Sequence, residues 1–394
     1  MDIKAIVLIT RPGKNISGSD TEETLGGVSM AYLDVLGLPI VERILMKLRQ
    51  FRVSNTILMG NFRTADGPFT RFRSSEWLSL QRIESRGEGF WRAAEGAFEK
   101  CLQGGADLVL ALRIGPYAEI DYEELIQHHI NKHCSVTAVV DRNGKWLDTF
   151  VLNAAARADA GALFGSRMKE LRKPGEPFRV TGYVNRLRDA RDLRRLAVDG
   201  LLQKNSIQPH GTQIKPGVWV HLPARIHPRA RVVAPAFIGA HARIRASAVI
   251  TRASVVEHHA EVDCGTVVED STVLPFTGLG AGLEVAHSVS GFHRLYDLQR
   301  HTQVEIMDGK ILGMKVLSPI VRGAGIAREF FAFKLKDIYR GLVKLPSRRT
   351  GAADLPESLD TAAALQSPVM GAQEQGPGSS DLASQLPVSR RYGR

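Results

Sequence analysis

Cysteine is scarce in this chain: 394 residues carry three, Cys101, Cys134 and Cys264. Thiols so few and so far apart make neither a disulfide framework nor a zinc-ligand cluster, which points to a reducing compartment. Long apolar runs are missing too. No stretch approaches the ~20 residues that cross a bilayer. The first apolar run, residues 3–10, has the length of a strand and not of a leader helix. The expectation is a soluble, cytoplasmic protein. Acidic residues are absent from Gly200 to Val256, and the two aromatic residues there, Trp219 and Phe237, do not alternate with the arginines as a run of stacking platforms. That pattern argues against nucleic acid as a partner.

What is present begins with a repeat. Every sixth residue from Ile214 is aliphatic: Ile214, Val220, Ile226, Val232, Ile238, Ile244, Ile250, Val256, Val262, Val268 and Leu274. From Ile226 on, two residues before each stand Ala224, Ala230, Ala236, Ala242, Ala248, Ser254, Ala260, Thr266 and Thr272, all small. An α-helix at 3.6 residues per turn would smear a period of six around its surface. Short flat strands joined by tight corners accommodate it, with the aliphatic residue filling the coil and the small one fitting the corner. The spacing predicts a hexapeptide-repeat parallel β-helix over residues 207–292.

Charge divides this repeat. Lys204, Lys215, Arg225, Arg229, Arg231, Arg243, Arg245 and Arg252 precede Val256, whereas Glu257, Glu261, Asp263, Glu269, Asp270 and Glu284 follow it with no Lys or Arg before Arg294. A solvated surface explains such a pattern most simply. The sharper reading is a docking surface, for an anionic partner or for another subunit joined basic to acidic.

Residues 1–195 read differently. An apolar strand at 4–10 leads into a glycine-bearing loop. Helical periodicity runs from Pro39 to Phe51, and a strand is expected at 55–59. A helix at 88–102, a strand at 107–112, a helix at 122–132 and a strand at 135–140 complete an alternation that implies an α/β layer with a mostly parallel sheet. Such sheets bind ligands at the carboxyl ends of their strands.

Three segments carry a family resemblance. Asp34-Val-Leu-Gly-Leu-Pro-Ile-Val-Glu-Arg-Ile-Leu45 followed by 51–58 resembles the turn, helix and strand of sugar-1-phosphate nucleotidyltransferases, in which the turn reads G-K-P-L-I. Gly87-Glu-Gly-Phe-Trp-Arg-Ala-Ala94 is similar to that family's base-contacting turn, and residues 109–125 to the strand and helix that carry its metal-binding aspartate. Many members append a hexapeptide coil. The resemblance therefore implies a Rossmann-like nucleotidyltransferase domain followed by a left-handed parallel β-helix. It also implies a nucleotide or sugar nucleotide as ligand, with magnesium as the cofactor if the chain is active. Arg11, Gly13, Lys14, Gly87 and Gly89 are the nucleotide-binding positions it leaves in place.

The departures fall on the chemistry. The catalytic loop reads Thr10-Arg-Pro-Gly-Lys-Asn-Ile-Ser-Gly-Ser19, where Pro12 removes one backbone donor. Lysines of the family align with Met30 and Leu38, and its metal-binding aspartate with Gly115. Glu119 and Asp121 stand nearby, at the start of a helix, where capping is the ordinary role of an acid. A hard divalent ion needs carboxylate ligands, so the expectation is a transferase of nucleotidyl groups that is weak or inactive and is kept for sugar-nucleotide binding or regulation. Two alternatives stand beside it. Hexapeptide coils also form acyltransferases with a histidine general base, for which His258, His259 and His287 are the candidates. A scaffold or regulatory subunit is the other.

The remainder is expected as a closing hairpin or cap over 293–316, with Val304–Ile306 and 311–312 around Asp308-Gly309. A basic amphipathic helix over 320–345 would pack on the coil or on another subunit of a homo- or hetero-oligomer, in preference to a membrane surface. The Ala-, Gly-, Ser-, Gln- and Pro-rich residues 346–394 are expected as a disordered tail.

Overall fold

A computed structural model describes residues 1–9, 24–26, 28–60, 76–83, 88–154 and 176–314. Arg11, Gly13, Lys14 and Gly87, the expected helix over 320–345 and the expected tail over 346–394 lie outside these residues.

The N-terminal region is built on one mixed sheet. Its strands are β1 (Ile3–Ile9), β2 (Asn55–Gly60), β3 (Leu78–Arg82), β4 (Leu108–Arg113), β5 (Val136–Val140), β6 (Trp146–Asn153) and β7 (Phe178–Arg179), in the spatial order β7-β5-β6-β4-β1-β2-β3. β6 alone runs antiparallel to its neighbours; every other pairing is parallel. The apolar run Ala5–Ile9 of β1 follows from burial on both faces. Ala5, Val7 and Ile9 enter one core, and Ile6 and Leu8 the other. Helices α1 (Ile40–Gln50), α3 (Tyr122–Asn131) and α4 (Ala190–Leu201) pack in the first core, and α2 (Glu88–Gln103) in the second. The caps are chemical: Asp121 accepts from the amides of Glu123 and Glu124 at 2.9 and 3.1 Å, and Asp189 from that of Asp192 at 2.9 Å. α4 runs through residue 195, where the sequence suggested the α/β region would end.

From Val218 onward short strands fall into three sheets visited in rotation. The first holds Val218–Val220, Ala236–Ile238, Ser254–Val256, Thr272–Val273 and Ser288–Gly291; the second Arg225–Ile226, Arg243–Ile244, Glu261–Val262 and Thr277–Leu279; the third Arg231–Val232, Val249–Thr251, Val267–Glu269 and Glu284–Ala286. All these strands pair in parallel, an arrangement consistent with a three-faced parallel β-helix. Two ends of the hexad ladder deviate. Ile214 lies on Thr212–Lys215, a strand antiparallel to Val218–Val220, and is 54% exposed. At the other end Val256 pairs with Val273, because one residue fewer separates these turns than separates Ile238 from Val256. Leu274 is therefore displaced from the coil interior into the α/β core. The cap also pairs otherwise than expected. Thr302–Glu305 returns to Arg294–Asp297, and Leu312–Met314 pairs with Thr277–Leu279.

The coil does not stand apart from the sheet. Phe237, Val255 and Val289, each facing outward from the first coil sheet, are buried in the same core as Val7, Leu45 and Leu196. Burying one such phenylalanine contributes roughly 2–3 kcal/mol.

Candidate functional site

The loops that follow β1, β2, β4 and β5 leave the sheet at one edge, since these strands run in one direction. At this edge β4 ends on Arg113, whose side chain is only 3% exposed and is ion-paired to Asp148 of β6. Arg113 Nε donates to Asp148 Oδ2 at 3.0 Å, and Nη2 donates to the same oxygen. Gly115, the position that aligns with the family's metal-binding aspartate, follows two residues later. Glu119 does not compensate, because its carboxylate accepts from the backbone amide of Ser206. Asp121 is committed to its cap. The described residues contain no group of three or more His, Cys, Asp and Glu side chains disposed to hold a metal ion. At the described end of β4 the strand supplies a cation, Arg113, where the resemblance places a carboxylate. Met30 and Leu38 are buried, so the two positions where family lysines align serve the apolar core. Gly89 sits in the first turn of α2.

A second cluster joins the α/β region to the coil. Asp34–Val35 and Leu38–Pro39 form a hairpin whose turn residues Leu36 and Gly37 both have positive φ, 54° and 88°. Gly37 is required there, since a Cβ would come within 2.8 Å of the Phe237 ring. The turn's two amides are taken by one buried carboxylate: Leu36 N donates to Glu257 Oε1 at 2.8 Å, and Gly37 N to Oε2 at 2.9 Å. Arg43 of α1 closes the other side, donating to the carbonyls of Val35, Leu36 and Gln208. Burial, and then the adjacent Asp34 carboxylate, push the Glu257 pKa upward against these amide donors and Arg43.

The three candidate histidines lie at two corners beside this junction and not together. His258 Nδ1 donates to Asp34 Oδ2, while His258 also meets Phe276 edge-on at 5.0 Å. His259 stacks between His241 and Phe276, at 4.5 and 4.9 Å. Burial, with His258 and His241 nearby, lowers its pKa to about 3, which makes it a poor proton acceptor. His287 Nδ1 donates to Asp270 Oδ2 at 2.6 Å. Asp270 also receives Arg194 of α4 at 2.8 Å, and Arg194 donates in addition to the Ala253 carbonyl at 2.7 Å. Burial opposes ionisation of Asp270, but Arg194 and His287 outweigh it and hold the carboxyl below its ordinary range. Sequence reasoning found these histidines and missed Asp34, Glu257 and Arg194, which give the junction its chemistry.

The third feature is an open cleft of about 650 Å³ between the β5–β6 turn, residues 181–188 and the outer side of α4. Arg142, Lys145, Arg186, Arg188, Arg195 and Lys204 line it, with Glu119 and Asp141 as the acids. Asp141 pairs with Arg186 and accepts from the amides of Asn143 and Lys145 at 2.9 and 2.8 Å. Burial works against its charge, yet these donors hold its pKa below the usual value. The Tyr183 phenol is pushed up to about 12 by burial, and it donates to Asp199 at 2.7 Å.

Compared with protein-family models and with curated proteins, the sequence matches none.

Proposed function

We propose that this chain is a nucleotidyltransferase-like protein, with a left-handed coil, that holds a sugar nucleotide at the carboxyl edge of its sheet and does not transfer nucleotidyl groups at an enzyme's rate. The observation that carries the reading is the buried Arg113–Asp148 pair at the end of β4. Nucleotidyl transfer from a nucleoside triphosphate to a sugar 1-phosphate develops charge on phosphoryl oxygens, which a carboxylate-held divalent ion ordinarily neutralises. At this edge the described acids are already engaged, Asp148 by Arg113 and Asp141 by Arg186. Binding needs less than catalysis does. Parallel strands ending together offer a ligand edge, and the cationic surroundings suit phosphates. The coil packs face-wide on the α/β core, and the same proposal gives it a regulatory role in a cytoplasmic oligomer. The test is a thermal-shift series with ADP-, GDP-, UDP- and TDP-linked sugars and the matching triphosphates, alongside pyrophosphate release with magnesium. A shift with one sugar nucleotide and no release above background supports the reading. Robust release, or no shift with any of them, overturns it.

A further inference from the structure

The two ends of the coil are finished differently. At the far end Leu312–Met314 extends the second sheet, and Arg294–Asp297 and Thr302–Glu305 extend the first. The last coil aliphatics there, Leu279 and Val285, are buried. At the entry the first turn, residues 218–235, has no such cover. Ile226 and Val232 stay half-buried, although their partners in the next turn, Ile244 and Ile250, are core. Beside them large aliphatics turn outward: Leu222 is 72% exposed, Ile214 54% and Val233 41%. Terminal turns of repeat proteins ordinarily present a polar outer face. This one presents an apolar one.

The same end is cationic. Lys215, Arg225, Arg229 and Arg231 are exposed, and no carboxylate among the described residues pairs with them. Lys215 belongs to the first sheet, Arg225 to the second, Arg231 to the third and Arg229 to the corner between the last two. The cations thus ring the end and do not converge on a point, as a small anion would require. The partner is therefore extended. A second copy of this chain is a poor match. Its later turns carry acids, but Glu257 is buried, and Arg245, Arg252 and Arg194 already hold Glu261, Glu269 and Asp270. Nor is the end built to take up a further strand. Arg225–Ile226 and Arg231–Val232 are two residues long, and Pro216, Pro223, Pro228 and Pro235 punctuate the turn without an N–H. The edge strand Thr212–Lys215 shifts register between Gln213 and Lys215.

A nucleic acid would meet the cations and leave the aliphatics in water. An anionic bilayer surface uses both, because aliphatic tips enter the headgroup boundary while Lys and Arg meet lipid phosphates. We infer that the entry end of the coil docks on an anionic lipid surface, with Leu222, Val233 and Ile214 inserted and Lys215, Arg225, Arg229 and Arg231 around them. The contact is interfacial and needs no membrane-crossing segment. It uses no residue of the sheet edge or of the cleft beside α4, so it stands whether or not a sugar nucleotide binds.

Co-sedimentation of the full chain with vesicles tests it, one set of phosphatidylcholine alone and one of equimolar phosphatidylcholine and phosphatidylglycerol. The expected result is retention on the mixed vesicles and none on phosphatidylcholine, falling steeply as salt rises from about 50 to about 300 mM. R229A/R231A should weaken retention about tenfold or more, and L222S/V233S severalfold. Both should keep the wild-type Tm, since all four side chains are exposed. K100A/K310A removes two exposed cations, one on α2 and one at the far end of the coil, and should bind as the wild type does. Equal retention on the two kinds of vesicle, an unaffected R229A/R231A or L222S/V233S variant, an equal loss in K100A/K310A, or no retention at all would each overturn the assignment. Tighter binding of duplex DNA than of the mixed vesicles would overturn it in favour of nucleic acid.

Discussion

In the coil, opposite charges meet on the surface between neighbouring turns: Arg245 with Glu261 at 2.7 Å, and Arg252 with Glu269 at 2.5 Å. In the α/β region they meet inside, as Arg113 does with Asp148, and at its junction a buried Arg194 meets a half-exposed Asp270. The axial charge polarity of the repeat is thus partly consumed within the chain, basic turn against acidic turn. Its unconsumed part is at the first turns, where Arg225 and Arg243 are cross-strand neighbours of like charge. The two regimes differ in energy. An exposed pair contributes little after screening and side-chain entropy, while a buried one leaves an unpaired charge in low dielectric when broken.

The largest expected effect follows from that contrast. Asp148→Ala should destabilise the chain by about 3–5 kcal/mol, by taking this carboxylate from the buried Arg113 guanidinium. Adding Arg113→Met should recover most of the loss, as denaturant titration of the single and double variants would show. Recovery would also establish that the pair is not needed for folding and that its place at the β4 end has another reason.

Next is the steric tie between turns. Gly239 has no room for a side chain, since a Cβ would lie 2.5 Å from His258 N and 2.7 Å from the Glu257 carbonyl carbon. Gly239→Ala should cost about 1–3 kcal/mol through overpacking. It should also disturb the Glu257 clamp, read as faster hydrogen exchange of the Leu36 and Gly37 amides.

The pH dependence separates the two regimes further. Glu257 has its folded pKa raised by burial to about 8, so the stability it contributes is complete below its unfolded value and is lost as pH rises toward 8. His259, depressed by burial to about 3, and His129, depressed by burial to about 4, act in the opposite sense and lose stability as pH falls below 6.5. Between pH 6.5 and 8 the slope should therefore be negative and should flatten in Glu257→Gln, measured by urea midpoints across that range. A slope unchanged by the substitution would remove Glu257 from this role. The smallest effect is expected at the surface. Arg252→Ala should change stability by no more than about 0.5–1 kcal/mol, and less in high salt.

The coil was the more legible region, and the reason is physical. Each turn repeats the same packing problem, so Ile238, Ile244 and Ile250 declare themselves by spacing alone. Periodicity fails where the repeat meets something unlike itself. Ile214 pairs antiparallel at the chain's entry into the coil, and one residue fewer before Val273 sends Leu274 to the other core. Part of the α/β region was also readable from alternating strands and helices, whereas β3, β6, β7 and α4 were not expected. The junction was not, because Asp34 and His258 stand 224 residues apart, and no local pattern marks a contact of that range. The cleft draws on separate segments, Glu119, the β5–β6 turn, residues 181–188, Arg195 and Lys204, and was hidden for the same reason. The dense run Arg186–Arg195 was its one sequence signal, and it could not say which side of α4 would face Lys145.

The claim that the edge retains a ligand without chemistry is tested most directly by presenting a radiolabelled sugar nucleotide with magnesium and pyrophosphate, then reading both the label retained on the protein and the label converted to triphosphate. Retention of unchanged sugar nucleotide is the expected result, in keeping with an edge where Arg113 already holds Asp148. Conversion to the triphosphate at many turnovers per chain, or no retention at all, would contradict the account.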